Sequence, residues 1–311
     1  MTFTPKSKQE LQYVIFYYLY NNRGQENYGN MNDWDVSNIE CMDSLFKNYK
    51  NFNEDISSWD VRNVRTMSNM FENCTFFDQQ LNNWDVSNVS DMSNMFSHCL
   101  NFNQPLNNWN VSNIRDMSYM FNHCSVFDQP LNEWTVQNVQ NMSNMFTRCN
   151  LFNQPLNNWN VQNVQNMSNM FAYCSIFNQP LNNWDVQNVR CMTSMFSNCL
   201  NFNQSLNDWN VQNVRNISNM FEYCSSFNQP LNNWDVQNVK YMYGMFTNCL
   251  ALDQPLDNWN TSNVINMSYM FEHCQKFNQP LNNWDVQNVS DMKKMFDHCN
   301  ILEKYKPIKN K

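Results

Sequence analysis

The chain has 311 residues, 42% apolar and 15% charged, with 19 basic against 27 acidic side chains and a net charge of −8. There is ample apolar material for a core, and the acidic balance argues against a nucleic-acid binder, which would present a basic surface. Asparagine supplies about a fifth of the residues and glycine only three, but eleven tryptophans argue against a disordered low-complexity tract.

The opening residues hold lysines but no small-residue cleavage site, and the apolar stretch from Leu11 to Tyr20 is rich in tyrosine. It is too short to span a bilayer and unlike a secretory signal, so the expectation is an intracellular chain without membrane insertion. Ser7 and Glu10 have capping-box spacing, and Leu11, Val14, Ile15, Tyr18 and Leu19 follow at helical intervals. This predicts an N-terminal helical cap within residues 1–30.

From residue 31 to residue 302 the chain repeats. Tryptophan recurs every 25 residues from Trp34 to Trp284, phenylalanine from Phe46 to Phe296 and asparagine from Asn38 to Asn288. Cysteine keeps the interval from Cys74 to Cys299, with Tyr49 in the first slot. Eleven units without insertion or deletion mean a solenoid. In the unit from Phe102 to Val126, Ile114, Met117, Met120, Phe121 and Cys124 share one helical face, and Ser112 and Asn113 precede them as N-cap candidates. Pro105 and its equivalents forbid helix earlier in the unit, so Leu106 to Val111 reads as a short extended strand. The predicted fold class is α/β, one short parallel strand and one short helix per coil. One coil cannot bury enough to fold alone, so stability needs neighbours. A curved horseshoe and a straighter β-solenoid both remain open.

Asparagines such as Asn38 and Asn63, and the row Asn53, Asp78, Asn103, Asp128 and Asn153, stand at turns, where their side chains can satisfy backbone within a coil and in the next. At the far end, residues 303–311 carry Lys304, Lys306, Lys309 and Lys311 and read as a basic, solvated tail.

Ten of the twelve cysteines fall one per coil on the apolar helix face. Helices about 8–10 Å apart would hold them beyond disulfide range. No CxxC pair suggests zinc, so buried free thiols are expected and no metal or cofactor. His98, His123, His273 and His298 each precede a ladder cysteine and read as surface helix positions. Nothing converges at a unique place, so no enzyme is expected. The informative positions are those that vary between coils. Arg65, Arg115, Arg190, Arg215 and Lys240 form a basic stripe on an acidic chain, suited to an acidic partner. A second variable set is Glu72, His98, Arg148, Tyr173, Glu222, Tyr223 and Glu272. A third is Thr75, Leu100, Val126, Leu151, Ile176 and Leu200. Gln137, Gln162, Gln187, Gln212 and Gln237 form a polar row that could meet a repetitive ligand such as a glycan.

With FNQPLNNWNVSNI at 102–114, FNQPLNNWDVQNV at 177–189 and MSNMF at 92–96 in view, the chain resembles the BspA-like leucine-rich-repeat family. It is most similar to the branch with 25-residue repeats found in mycoplasma and listerial surface lipoproteins. The resemblance covers about residues 31 to 302. It implies a leucine-rich-repeat-like solenoid associated with adhesion or protein binding, and no catalytic residues carry over. Family members usually have alanine where this chain has its cysteine ladder. The opening PKSKQELQYVIFYYLYNN resembles the segment before such repeats in intracellular proteins of protists and their large DNA viruses. The function expected is a non-enzymatic scaffold for protein–protein interaction, in a host cytoplasm or a virus particle. The alternative is an adhesin-like surface or particle component that binds host protein or glycan.

Overall fold

The structure, a computed structural model, describes residues 3–20 and 24–309. Each coil is built from tight turns. In the coil from Phe102 to Val126, amides bond to carbonyls three residues back at Trp109 to Leu106, Ile114 to Val111, Met120 to Met117, Asn122 to Tyr119 and Cys124 to Phe121, all within 3.2 Å. The amides of Met117, Tyr119, Phe121 and His123, one at every second residue, donate to Asn141, Ser143, Met145 and Thr147 of the next coil at 2.7–3.0 Å. Arg115 donates the other way, to Ser90 of the coil before. Single parallel bridges run unbroken from Cys41 through Asp116 to Asp291.

This corrects the expected strand and helix. Among the described residues no coil contains an α-helix, and the parallel pairing lies at Asp116 rather than over Leu106 to Val111. A train of turns closed three residues apart places apolar side chains at spacings close to those of a helical face, so the sequence pattern cannot tell them apart. Alternate amides committed to the next coil cannot also close helical hydrogen bonds.

Two residues per coil adopt the left-handed region, Tyr119 at φ 59° and His123 at φ 61° in this coil, with counterparts from Ser44 and Asn48 to Lys294 and His298. Asparagine and histidine tolerate that region better than most residues. Asparagine occupies nine of these positions, and all four histidines sit at them. The histidines therefore mark a backbone conformation, not a helix surface. Gly244 takes one such place, where a Cβ would collide with the Asn219 side chain.

Like residues stack in columns inside. Trp159 lies 6.5 Å from Trp134 and 6.3 Å from Trp184, with ring planes nearly parallel, and Phe146 and Phe171 are 5.7 Å apart. The indole N–H of Trp109 donates to the Leu81 carbonyl of the previous coil at 2.8 Å. The thiol of Cys124 does the same to Phe96 at 3.0 Å. All twelve cysteines are free, nine of them buried. The reason differs from the one expected. Parallel-strand spacing of about 4.8 Å brings neighbouring coils within disulfide range. What occupies each ladder thiol is a carbonyl, and burial raises its pKa well above the ordinary range, as at Cys99 and Cys149.

The turn asparagines act between coils. The Asn103 amide donates to the Asp78 side chain at 2.9 Å, and Asn103 Oδ1 accepts from the Asp128 amide at 2.9 Å. Every coil passes this bond to the next, which pins the turns that carry no backbone ladder.

At the N-terminal end α1, Lys8–Tyr20, packs Leu11, Val14 and Ile15 into the core, with Tyr18 and Leu19 partly buried beside them. The Glu10 amide donates to Ser7 Oγ at 3.2 Å, and Glu10 Oε2 accepts from the Lys6 amide at 2.7 Å. Phe3 and Tyr18 meet Trp34 edge-on at 5.0 and 5.4 Å, in the place where an earlier tryptophan would stack. A short α2, Gly24–Tyr28, contacts α1 and supplies the Tyr28 carbonyl to the Trp34 indole. At the other end the tail is not simply solvated. Ile301 and Pro307 are buried, the Tyr305 carbonyl accepts from the Leu281 amide at 2.8 Å, and Lys306 lies over the Phe296 ring. Lys304 is exposed, Lys309 donates to the Val289 carbonyl, and Lys311 lies outside the described residues.

Two outcomes follow from this packing. Deleting residues 1–20 exposes Trp34 and the first coil, so the melting temperature and solubility should both fall. Unchanged values would remove the cap role of α1. Tyr223 sits at φ 58° with 45% of its surface exposed. Tyr223→Asn relieves left-handed strain without touching the core, and should raise stability by about 0.5–1 kcal/mol in urea titration.

Candidate functional site

An exposed side chain in this array is one that stacking has left free. Val64, Ile114, Val189, Val214 and Val239 point inward, and the residue after each points outward. Those outward residues are Arg65, Arg115, Arg190, Arg215 and Lys240. The backbone beneath them is a continuous ladder, in which Arg190 donates to Gln165, Arg215 to Arg190 and Lys240 to Arg215 at 2.9–3.0 Å. Each cation is therefore fixed at its root and free at its tip.

Two residues before each cation stands an asparagine whose amide is already used. Asn188 Nδ2 donates to the Gln162 carbonyl of the previous coil, Asn213 to Gln187 and Asn238 to Gln212, at 2.7–2.8 Å. Each amide keeps its Oδ1 acceptor and a second N–H that these bonds do not use. Between this row and the cations runs an open trough. One part, about 580 Å³, is lined by Asn163, Gln165, Asn188, Arg190, Asn213, Arg215, Asn238 and Lys240. A second, about 430 Å³, shares Asn163 and Gln165 with it and extends to Asn113 and Arg115 past Gln140.

The structure thus brings together four of the five predicted cations. Arg65 stands outside, paired with Glu40 at 3.6 Å and separated from Arg115 by Ser90. Among the described residues, Arg115, Arg190, Arg215 and Lys240 have no carboxylate partner within 4.0 Å. Asp116 directly follows Arg115, whereas Cys191, Asn216 and Tyr241 follow the other three, so the positive field concentrates at the 190–240 end. Sequence reasoning missed that the asparagine row and Gln140 and Gln165 share this trough. The signal was present in the 25-residue interval of the asparagines, two residues ahead of the cations, and in Gln140 and Gln165 falling in the cation column itself.

The other variable positions do different work. Glu72 pairs with Lys47 at 2.7 Å, Glu222 accepts from Ser197 at 3.1 Å, and Glu272 faces Lys294 at 3.9 Å. Arg148 covers the Tyr173 ring at 4.4 Å. The third set gathers on an outer turn, where Leu100, Leu151, Ile176 and Leu200 are exposed beside Phe76. Of the glutamine row, Gln187 and Gln237 fold back onto Asp185 and Asp235 at 3.1 Å. Among the described residues, no three His, Cys, Asp or Glu side chains converge as a metal site. Nor is any helix there long and apolar enough to cross a membrane.

His98 and His123 stack with ring centroids 4.2 Å apart, and His273 and His298 stack at 4.7 Å. Burial first, then the neighbouring His98 and Arg148, push the His123 pKa down to about 4. A lowered imidazole pKa means the folded chain resists a proton that the unfolded chain accepts near pH 6.5. The contribution is fully present above that pH and is lost as pH falls towards about 4. Urea midpoints should therefore drop between those limits, and His123→Asn, which still tolerates the left-handed backbone, should drop less. Parallel curves would show that the stacked pair carries none of the acid sensitivity.

The family described as "Mycoplasma protein of unknown function, DUF285" matches three overlapping stretches, residues 15–134, 117–230 and 192–308. No curated protein matches the chain. Among solved structures, a leucine-rich repeat protein from Bacteroides ovatus is similar at 13% identity, over 88% of this chain and 78% of that one, with a TM-score of 0.45. The TLR13–ssRNA13 complex is similar at 9% identity, over 98% of this chain and 51% of that one, with a TM-score of 0.26.

Proposed function

In a chain that belongs to the DUF285 family of mycoplasma proteins of unknown function, matched from residue 15 to residue 308, we propose a non-catalytic scaffold that binds a protein partner along the cation-lined trough. The observation that carries this reading is the run of exposed, unpaired Arg190, Arg215 and Lys240 on a chain of net charge −8. Stacking does not require a cation there: Gln140, Gln165, Ile265 and Ser290 occupy the same column elsewhere with the same backbone bonds. Positive side chains that the fold does not need are available to a ligand.

We read the chain as one of the BspA-like leucine-rich-repeat proteins, a reading supported by its likeness to them in the strings FNQPLNNWDVQNV and MSNMF. We assign it to a reducing, intracellular setting of a cell or its virus. Twelve free cysteines, with neighbouring coils close enough to cross-link, suit that compartment. The asparagine-rich composition suits an AT-rich genome such as that of a large DNA virus. An adhesin-like role on glycan through the glutamine row is the weaker reading, because Gln187 and Gln237 are turned onto their own aspartates.

Arg115, Arg190, Arg215 and Lys240 replaced together by serine should leave the fold intact, since their side chains make no internal bond. Affinity capture with the tagged full-length chain from its native cell should then lose its salt-sensitive partner by about fourfold or more, at about 0.2–1 kcal/mol for each exposed pair. Arg65→Ser, which removes a cation already paired with Glu40, should retain it. Equal recovery by all three proteins would refute binding through the trough, and turnover in a broad substrate screen would refute the non-catalytic reading.

A further inference from the structure

Resting on the protein-binding reading above, we infer that the trough takes an extended acidic peptide laid along the stacking direction. Its carboxylates lie on Arg190, Arg215 and Lys240, and its main chain lies against Gln140 and Gln165. The dimensions set the first constraint. The lining runs from Asn113 and Arg115 to Asn238 and Lys240, one pair per coil over six coils. Five parallel-strand spacings of about 4.8 Å make about 24 Å. An extended polypeptide advances about 3.4 Å per residue, so about seven residues fill the length.

The order of side chains sets the second. Along the trough it is cation, amide, amide, cation, cation, cation, from Arg115 through Gln140 and Gln165 to Lys240. A uniform polyanion would be served by cations throughout. Glutamine instead offers a donor and an acceptor on one group, the pairing that a peptide unit presents. Gln140 and Gln165 are exposed, and neither side chain is engaged elsewhere among the described residues.

The asparagine rim supplies the third. Asn113, Asn138, Asn163, Asn188, Asn213 and Asn238 each spend Nδ2 on a carbonyl of the preceding coil. Each rim amide thus keeps its Oδ1 and its second N–H, repeated about 4.8 Å apart. That acceptor and donor match the N–H and C=O of a peptide unit, whereas an ionised phosphate or carboxylate oxygen could use the donor alone. No aromatic ring lines the trough, so bases have no stacking platform. Charge and hydrogen bonds dominate, so the complex is salt-sensitive.

The probe is a fluorescently labelled octapeptide of alternating glutamate and serine, titrated by anisotropy with the full-length chain at low and high salt. Wild type should bind at low salt and weaken at high salt. Arg190→Ser with Arg215→Ser and Lys240→Ser should weaken it by about threefold or more, and Gln140→Ala with Gln165→Ala by about fivefold, with melting curves unchanged. Arg65→Ser should bind as wild type. Undiminished binding by the triple variant would overturn the proposal. So would an eight-sugar oligogalacturonate or an eight-nucleotide oligouridylate that binds at least tenfold tighter than the peptide. If the four-serine chain loses its cellular partner while wild type ignores the peptide, the site stands and the acidic-peptide ligand falls. If the peptide binds but cellular capture survives in that variant, the ligand chemistry stands and the scaffold reading falls.

Discussion

Hydrogen bonds between coils, made by every second amide from Met42 to Asn48 and repeated at each coil, are the interaction on which the rest of the molecule depends. To send those amides to the next coil while turning tightly, the chain must place two residues per coil in the left-handed region. That demand selects asparagine and histidine at those places and explains part of the asparagine content. It also leaves the remaining amides to close turns of three residues. Stacked coils then bring identical side chains into register, so tryptophan meets tryptophan and each thiol finds a phenylalanine carbonyl. Changing one column member removes a partner from two neighbours.

The period made the architecture legible. Columns of Trp34 to Trp284 and Phe46 to Phe296 could only mean stacking, and the Asn53 and Asp78 row could be seen as inter-coil turn support before any coordinates. Local structure was less legible, because Ile114, Met117, Met120, Phe121 and Cys124 satisfy a helix and a train of turns alike. The commitment of alternate amides to the next coil leaves no direct trace in side-chain polarity. Its trace is indirect, in residues tolerant of positive φ at Asn94, His98 and His123, of which the histidines were read as helix surface. The expectation about the thiols drew on a spacing that belongs to helices, not to these coils.

The candidate site was legible to a similar degree. Positions that stacking does not dictate stand out against a strict repeat, and Arg115, Arg190, Arg215 and Lys240 do share one trough. Their sequence gave no hint that Arg65 would be neutralised by Glu40, since that pair spans one coil. Nor could it show that Asn188 and Asn213 line the same space, held there by amide bonds to carbonyls of the previous coil.

The ladder also runs one way. In each coil but the last, four peptide groups direct N–H towards the C-terminal neighbour, against one bond in the opposite sense at the Arg115 column and, in some coils, a second such as Phe76 to Lys50. Peptide dipoles of about 3.5 D aligned in this manner add along a stack as they do along a helix, here with the partial negative pole at the first coil. Lys8, whose ammonium lies 3.4 Å from the Cys41 sulfur, stands at that pole. The two extremities are consequently unlike in electrical sign as well as in cap, and the stack has a head and a tail that an approaching molecule can tell apart.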